Sequence, residues 1–157
     1  MNDRSRSAHL SAFTLVELVV VVLILGVLAG VAAPRLFDAT DEASVNATAQ
    51  HLIVIAEAAE LCFAQTGEWP GNQNGAILPP ELAPYLRDNP FASPCPIGGV
   101  FDWDANNGGH RARIKIYGMT PNDPAQLMLD SLLDDGDLAT GQLIALRPEA
   151  IVYIVAE

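Results

Sequence analysis

Acidic side chains carry most of the chemistry this sequence could do, and they fall in three places. Asp134-Asp135-Gly136-Asp137 sets three carboxylates within four positions, a density of oxygen ligands that suits Ca²⁺. The run lacks the full EF-hand spacing and a Glu at the right downstream offset. Its other reading is a solvated helix-to-loop turn with Gly136 as the C-cap. Asp102 and Asp104 lie two apart, so they share one face of an extended strand and could do acid–base work together. The competing reading pairs them across a hairpin with the basic row Arg111, Arg113 and Lys115. Glu17 stands alone inside the apolar run Phe13–Pro34, FTLVELVVVVLILGVLAGVAAP. A carboxylate in such a run is costly and is kept for function.

The remaining chemistry-bearing residues form no catalytic set. His9, His51 and His110 do not cluster with cysteine at zinc-ligand spacing. No Gly-rich phosphate loop, Ser-His-Asp set or zincin motif is present, so the chain is expected not to be an enzyme. Cys62 and Cys95 are the two cysteines. In an extracytoplasmic compartment they could form a disulfide, and the alternative is two buried free thiols. The formal net charge of -11 opposes non-specific nucleic-acid binding, which depends on neutralising phosphates. The basic row has only Tyr117 as an aromatic neighbour, a poor platform for bases, and nucleic acid is not an expected partner.

These residues must be positioned by a small number of elements. The length of 157 residues fits one domain plus an anchor. Phe13–Pro34 is 22 residues, enough to cross the ~30 Å apolar core of a bilayer as a helix. Pro34 is expected to kink or loosen that helix rather than end it. From Arg35 to Thr66 there is no Gly or Pro. Leu52, Ile55, Ala56, Ala59 and Cys62 or Phe63 recur at spacings of three and four as one apolar stripe. Gly67-Glu68-Trp69-Pro70-Gly71 should stop the helix. If continuous, residues 13–66 span roughly 80 Å.

Residues 67–99 are rich in proline, with a helical turn expected at Pro80–Leu86. Gly99–Asp104 and Arg111–Tyr117 alternate apolar and charged residues around the turn Asn106-Asn107-Gly108-Gly109, which reads as a hairpin. Pro121–Leu133 reads as a short amphipathic helix. Ile151–Val155 is apolar on both faces and fits a central strand. The expected fold class is α+β: a long N-terminal helix packed on a small antiparallel sheet with one short helix.

Three readings of the N-terminus compete. A secretory signal peptide would be cut after Val31-Ala32-Ala33, but Pro34 would then follow the cut. A plain membrane anchor explains the length and leaves Glu17 unexplained. In the third, Ala12-Phe13-Thr14-Leu15-Val16-Glu17 resembles the processing site of the type IV prepilins and type II secretion pseudopilins. That family has a short basic leader, Phe as first mature residue, Glu as fifth, and often Pro as twenty-second. Counted from Phe13, Glu17 is fifth and Pro34 twenty-second. The position before the cut is Ala12, where the family usually has Gly. Two further phrases, Ile97–Asp104 and Asp134–Gly141, are similar to stretches of small pilin-like proteins.

The resemblance implies a leader at 1–12, a helix at 13–66 whose 13–34 part is membrane-embedded or filament core, and a head at 67–157 that includes the distal half of the helix. It implies cleavage between Ala12 and Phe13 by a prepilin peptidase and N-methylation of Phe13. Glu17 would pair with the N-terminal amine of a neighbouring subunit. The implied partners are that peptidase, other subunits, an inner-membrane assembly platform and lipid. The implied location is the inner membrane, crossed once, with the leader cytoplasmic and the head in the periplasm or outside, and then the pilus or pseudopilus. Some pseudopilins use a calcium loop near the C-terminus, which is what the resemblance implies for Asp134, Asp135 and Asp137. No other cofactor is expected. The alternatives are a membrane-anchored binding module that never polymerises, and a minor pilin that primes or caps a fibre.

Overall fold

The computed structural model describes residues 14–73, 75–107 and 110–156, with side chains described outside 30–38, 106–107 and 110. Ala12 and Phe13, the two processing residues, lie outside these, as do His9 and the turn glycines Gly108 and Gly109. The element order is helix α1 (Leu15–Thr66), a 3-10 turn (Pro90–Ala92), strands β1 (Val100–Asn107) and β2 (His110–Tyr117), helix α2 (Pro124–Leu133), and strands β3 (Leu143–Arg147) and β4 (Ala150–Ala156). This is the α+β class. The chain divides into two units, Met1–Ala39 and Thr40–Glu157.

In the first unit the described residues from Leu15 onward are helical. From Leu15 to Leu28 every large apolar side chain is exposed. Helix α1 continues through Pro34, so that residue does not end it.

The second unit is the head, and its core begins with the distal part of α1. Val45, Ala49, Leu52, Ile55, Ala56, Ala59 and Cys62 are buried, one stripe at helical spacing. Phe63, the alternative last member, is partly exposed and stacks on Trp69 with ring centroids 4.6 Å apart. The helix stops at Gly67, whose φ of 77° puts it in the left-handed region. Its N–H donates to the Phe63 carbonyl at 2.8 Å, satisfying one of the carbonyls the helix end would otherwise orphan.

The sheet order is β1-β2-β4-β3, all antiparallel. Two hairpins are thus joined through their inner strands, and β4 is central. The register sets Phe101 opposite Ile116 and Trp103 opposite Ile114. Ile116 in turn faces Ile151, and Leu143 faces Tyr153. This apolar face packs on α1, where the rings of His51 and Phe101 meet edge to face at 5.7 Å.

Several boundaries differ from the expected ones. Asn106 and Asn107 belong to β1 rather than to a turn. Helix α2 begins at Pro124, three residues later than expected, because Asn122 takes a φ of 56° and Asp123 becomes the N-cap. The Asp123 carboxylate accepts from the Ala125 N–H at 2.9 Å, and Pro124 sits at the first helical position, where its missing N–H costs nothing. At Pro80–Leu86 there are turns, with the Leu82 N–H donating to the Pro79 carbonyl and the Tyr85 N–H to that of Leu82, both at 3.0 Å. Strand β3 and the 3-10 turn are additions to the expected elements.

Candidate functional site

Glu17 is exposed and sits in the first turn of α1. Its Oε2 accepts from the Thr14 backbone N–H at 2.9 Å and from the Thr14 hydroxyl at 2.7 Å. The Glu17 N–H donates back to the Thr14 Oγ1 at 3.2 Å. The Leu18 N–H donates to the Thr14 carbonyl at 3.2 Å, so Thr14 occupies the N-cap position. This is a capping box, in which cap and third helical residue each satisfy one of the other's orphan donors. The signal Thr14-x-x-Glu17 is present in the sequence, and the helix-start reading overlooked it. Among the described residues, Glu17 Oε1 takes no hydrogen bond and stays open to a further donor. Around it, Leu15–Leu28 presents apolar side chains on all sides.

By length and composition alone, Ala39–Thr66 is also long and apolar enough to cross a membrane, but 44% of its most apolar stretch is buried. It carries Asp41, Glu42, Glu57 and Glu60, and it supplies the core of the head. Leu15–Ala29 is the shorter apolar helix segment, and its exposure marks it as the segment that needs lipid or protein around it.

Cys62 and Cys95 are both free and buried, so the disulfide considered from sequence is not formed. Cys95 Sγ lies 3.5 Å from the Thr48 hydroxyl. Cys62 lies fourteen residues further along the same helix than Thr48, about 21 Å at 1.5 Å per residue, far outside disulfide reach. Burial pushes the Cys95 thiol up, against the smaller lowering effect of Thr48 and the Ile97 backbone. A raised thiol is a poor nucleophile.

On the sheet face away from the apolar core, Asp102 lies opposite Lys115 and Asp104 opposite Arg113. Arg113 donates to Asp104 Oδ2 through Nε at 3.2 Å and through an Nη at 3.0 Å. Lys115 Nζ pairs with Asp102 Oδ2 and reaches Asp104 Oδ2 at 3.6 Å. Arg111, one step along the same face, is exposed, and among the described residues it has no carboxylate partner. Each carboxylate is thus neutralised by a cation rather than freed for acid–base work. Asp102 Oδ1 has no hydrogen-bond partner.

Burial raises the Asp102 carboxyl from its ordinary 3.8, with the Asp104 charge adding to this and Lys115 and Arg113 opposing it. The folded protein therefore holds the proton more tightly than the unfolded chain does. The stability this contributes is full below the unfolded value and is lost as pH rises through the folded one. Asp102→Asn removes that dependence. Its urea midpoint relative to wild type is expected to improve between about pH 3 and about pH 6, and equal differences at the two pH values would contradict the assignment.

The acidic turn departs most from the sequence reading. The C-cap of α2 is Asp134, not Gly136, and its N–H donates to the Asp130 carbonyl at 2.7 Å. Gly136 follows with a φ of 81°. Asp134 Oδ2 accepts from the backbone N–H groups of Gln142 and Leu143. Asp135 Oδ1 accepts from the Asp137 N–H, and its Oδ2 from the Thr140 hydroxyl, each at 2.8 Å. These bonds hold the Asp135 carboxyl below its ordinary value, the Asp137 N–H contributing most. The Asp137 carboxylate accepts from the Ala139 N–H at 3.1 Å.

The carboxylates brought together are those of Asp130, Asp134 and Asp135, each offering an oxygen within 4.8 Å of the others. The expected trio of Asp134, Asp135 and Asp137 is thereby replaced, with Asp130 in place of Asp137. Asp130 is fully buried. Asp130 lies outside the Asp134–Asp137 run and comes beside it only because a helix sets residues i and i+4 on one side.

The chain matches no protein-family model. It is 40% identical over 68 residues to a fimbrial protein of Neisseria meningitidis serogroup B (strain ATCC BAA-335 / MC58), a match covering 41% of this chain and 38% of that protein. The chain thus spans well under half the length of this curated relative. In structure it is similar to the major type IV pilin PilA1 from Clostridium difficile, with a TM-score of 0.57 at 15% identity, over 74% of this chain and 97% of that one. A long apolar N-terminal helix carrying a four-stranded antiparallel sheet is the α+β fold of the type IV pilins. The chain thus has the fold of a type IV pilin and, over 68 residues, sequence similarity to a fimbrial protein.

Proposed function

We propose that this protein is a structural subunit, not an enzyme, that assembles through its N-terminal helix into a type IV pilus or the related type II secretion pseudopilus. The observation that carries this reading is the all-round exposure of Leu15–Leu28 on a pilin-fold chain, with Glu17 as the one acid among those apolar residues. Stored in the inner membrane, those side chains face lipid, and in a filament they face other copies. A prepilin peptidase cuts between Ala12 and Phe13, and Phe13 is N-methylated. The amine so exposed on one subunit pairs with Glu17 of another. In a dry helix bundle both charges are costly alone and favourable together, so the pair sets the axial register. The head then lies outside the inner membrane, and the assembly platform is the second partner.

Mass spectrometry of the mature protein tests this reading. The expected N-terminal residue is Phe13 carrying one methyl group. An N-terminus at any other residue overturns the processing step, and a correctly processed chain that never leaves the membrane fraction in a host with a working assembly platform overturns polymerisation.

A further inference from the structure

Helix α2 is apolar on two sides. Leu129 is buried in the core, while Leu127, Met128 and Leu132 are exposed. With Pro124 and with Val45 of α1, these three line an open groove between the two helices, to which Glu42 also contributes. Other polar groups of the groove are satisfied from within. Asn46 Nδ2 donates to the Glu42 carbonyl at 2.9 Å, and the Ser131 hydroxyl to that of Leu127 at 2.8 Å. The Glu42 carboxylate has no ion-pair or hydrogen-bond partner among the described residues. The cleft that adjoins the groove along α2 adds Asp41 and Asp123. The groove therefore calls for an apolar side chain with a cation beside it.

Among the described residues, the other exposed large apolar side chains fall in four places. Leu15–Leu28 has Glu17 as its one charge. Ile53, Val54, Leu61 and Phe63 are interspersed with Glu57 and Glu60, whose charges would repel Glu42. Ile77 has no charged residue near it in the chain. Leu146 is followed directly by Arg147, which is exposed and in no ion pair among the described residues. Lys115, Tyr117 and the half-buried Glu149 line the same hollow, and the Lys115 charge is already matched by Asp102. We infer, resting on the proposed assembly into a fibre, that the groove between α1 and α2 of one copy takes Leu146 of a second copy, with the Arg147 guanidinium on the Glu42 carboxylate. Leu146 covers the exposed side chains of α2, and the ion pair fixes orientation more than it adds affinity. The groove and the Leu146 patch share no residue. A contact between unlike surfaces leaves a free groove at one end of the row and a free Leu146 at the other, as an open-ended fibre requires.

The test uses the full chain in a host with a working assembly platform and reads sheared filament against membrane-retained protein. Arg147→Glu and Glu42→Arg are each expected to lower incorporation at least about tenfold, because each sets like charges together at the contact. The double variant restores an opposite pair and is expected to return to within about threefold of wild type. In filaments of a chain carrying both Leu127→Cys and Leu146→Cys, a bis-maleimide is expected to give a ladder of linked copies. Either single cysteine variant gives no more linkage than wild type, whose Cys62 and Cys95 are buried. If circular dichroism shows a charge variant unfolded, the cross-link decides. Normal fibres that neither respond to the charge changes nor cross-link overturn the contact and leave assembly standing. Loss in both single charge variants without recovery in the double overturns the pairing of Glu42 with Arg147. Linked pairs that never extend overturn the open-ended contact, and linkage of Leu127→Cys to a different protein overturns the second copy as occupant. A wild-type chain that forms no fibre overturns assembly itself and the contact with it.

Discussion

Trp103→Ala is expected to destabilise the head by about 3–5 kcal/mol, the range for emptying a buried aromatic site. Trp103 has no exposed surface. Its Nε1 donates to the Pro70 carbonyl at 3.0 Å, tying the stretch after α1 to the middle of β1. The substitution therefore leaves both a cavity and a buried carbonyl without its donor. A domain of this size has roughly 5–15 kcal/mol of total stability, so most of the margin disappears. Urea unfolding followed by circular dichroism gives the value. Trp103→Phe keeps most of the volume and loses only the hydrogen bond, and about 1–3 kcal/mol is expected. A loss below about 1 kcal/mol for Trp103→Ala would contradict its place at the centre of the core.

The second large effect concerns Glu17, and the capping box decides how it must be measured. Glu17→Ala removes the cap and the charge together. Glu17→Gln keeps a side chain able to cap and removes only the charge. Thr14→Ala removes much of the cap and keeps the charge. If Glu17 pairs with a neighbour's amine, Glu17→Gln leaves that ammonium buried and unpaired, at a cost of about 3–5 kcal/mol. At 1.4 kcal/mol per factor of ten, incorporation into filaments falls by on the order of a hundredfold or more. Thr14→Ala loses roughly 1 kcal/mol of helix-start stability and still assembles. The check is the ratio of sheared filament to membrane-retained protein for each variant. Wild-type assembly by Glu17→Gln would reduce Glu17 to a capping residue.

What could be read in the sequence follows from how local each signal is. The apolar run, the stripe from Leu52 to Cys62 and the alternation in β1 and β2 are periodic over many residues, and each became an element facing the expected way. Strand β3 has no such signal. Leu143-Ile144-Ala145-Leu146-Arg147 neither alternates nor runs long, and it is a strand because β4 pairs with it across the turn at Pro148-Glu149. The start of α2 was legible and misread: Asp123 followed by Pro124 is an N-cap with proline at the first helical position. The thiols could not be placed, because sequence does not give the distance between a helix position and a loop. The acid cluster was half legible, since Asp134 and Asp135 adjoin, whereas Asp130 joins them only through the turn of the helix.

The buried stripe of α1 has a mechanical side. From Val45 to Cys62 the side chains that hold the helix to the sheet are spread along about 26 Å of its length. A pull along the helix axis loads all of them at once, as shear, and none can yield without the others. A pull at right angles, starting from one end, would instead open them one after another like a zip. A head fastened in this way is strong along the axis of its own helix and weak across it.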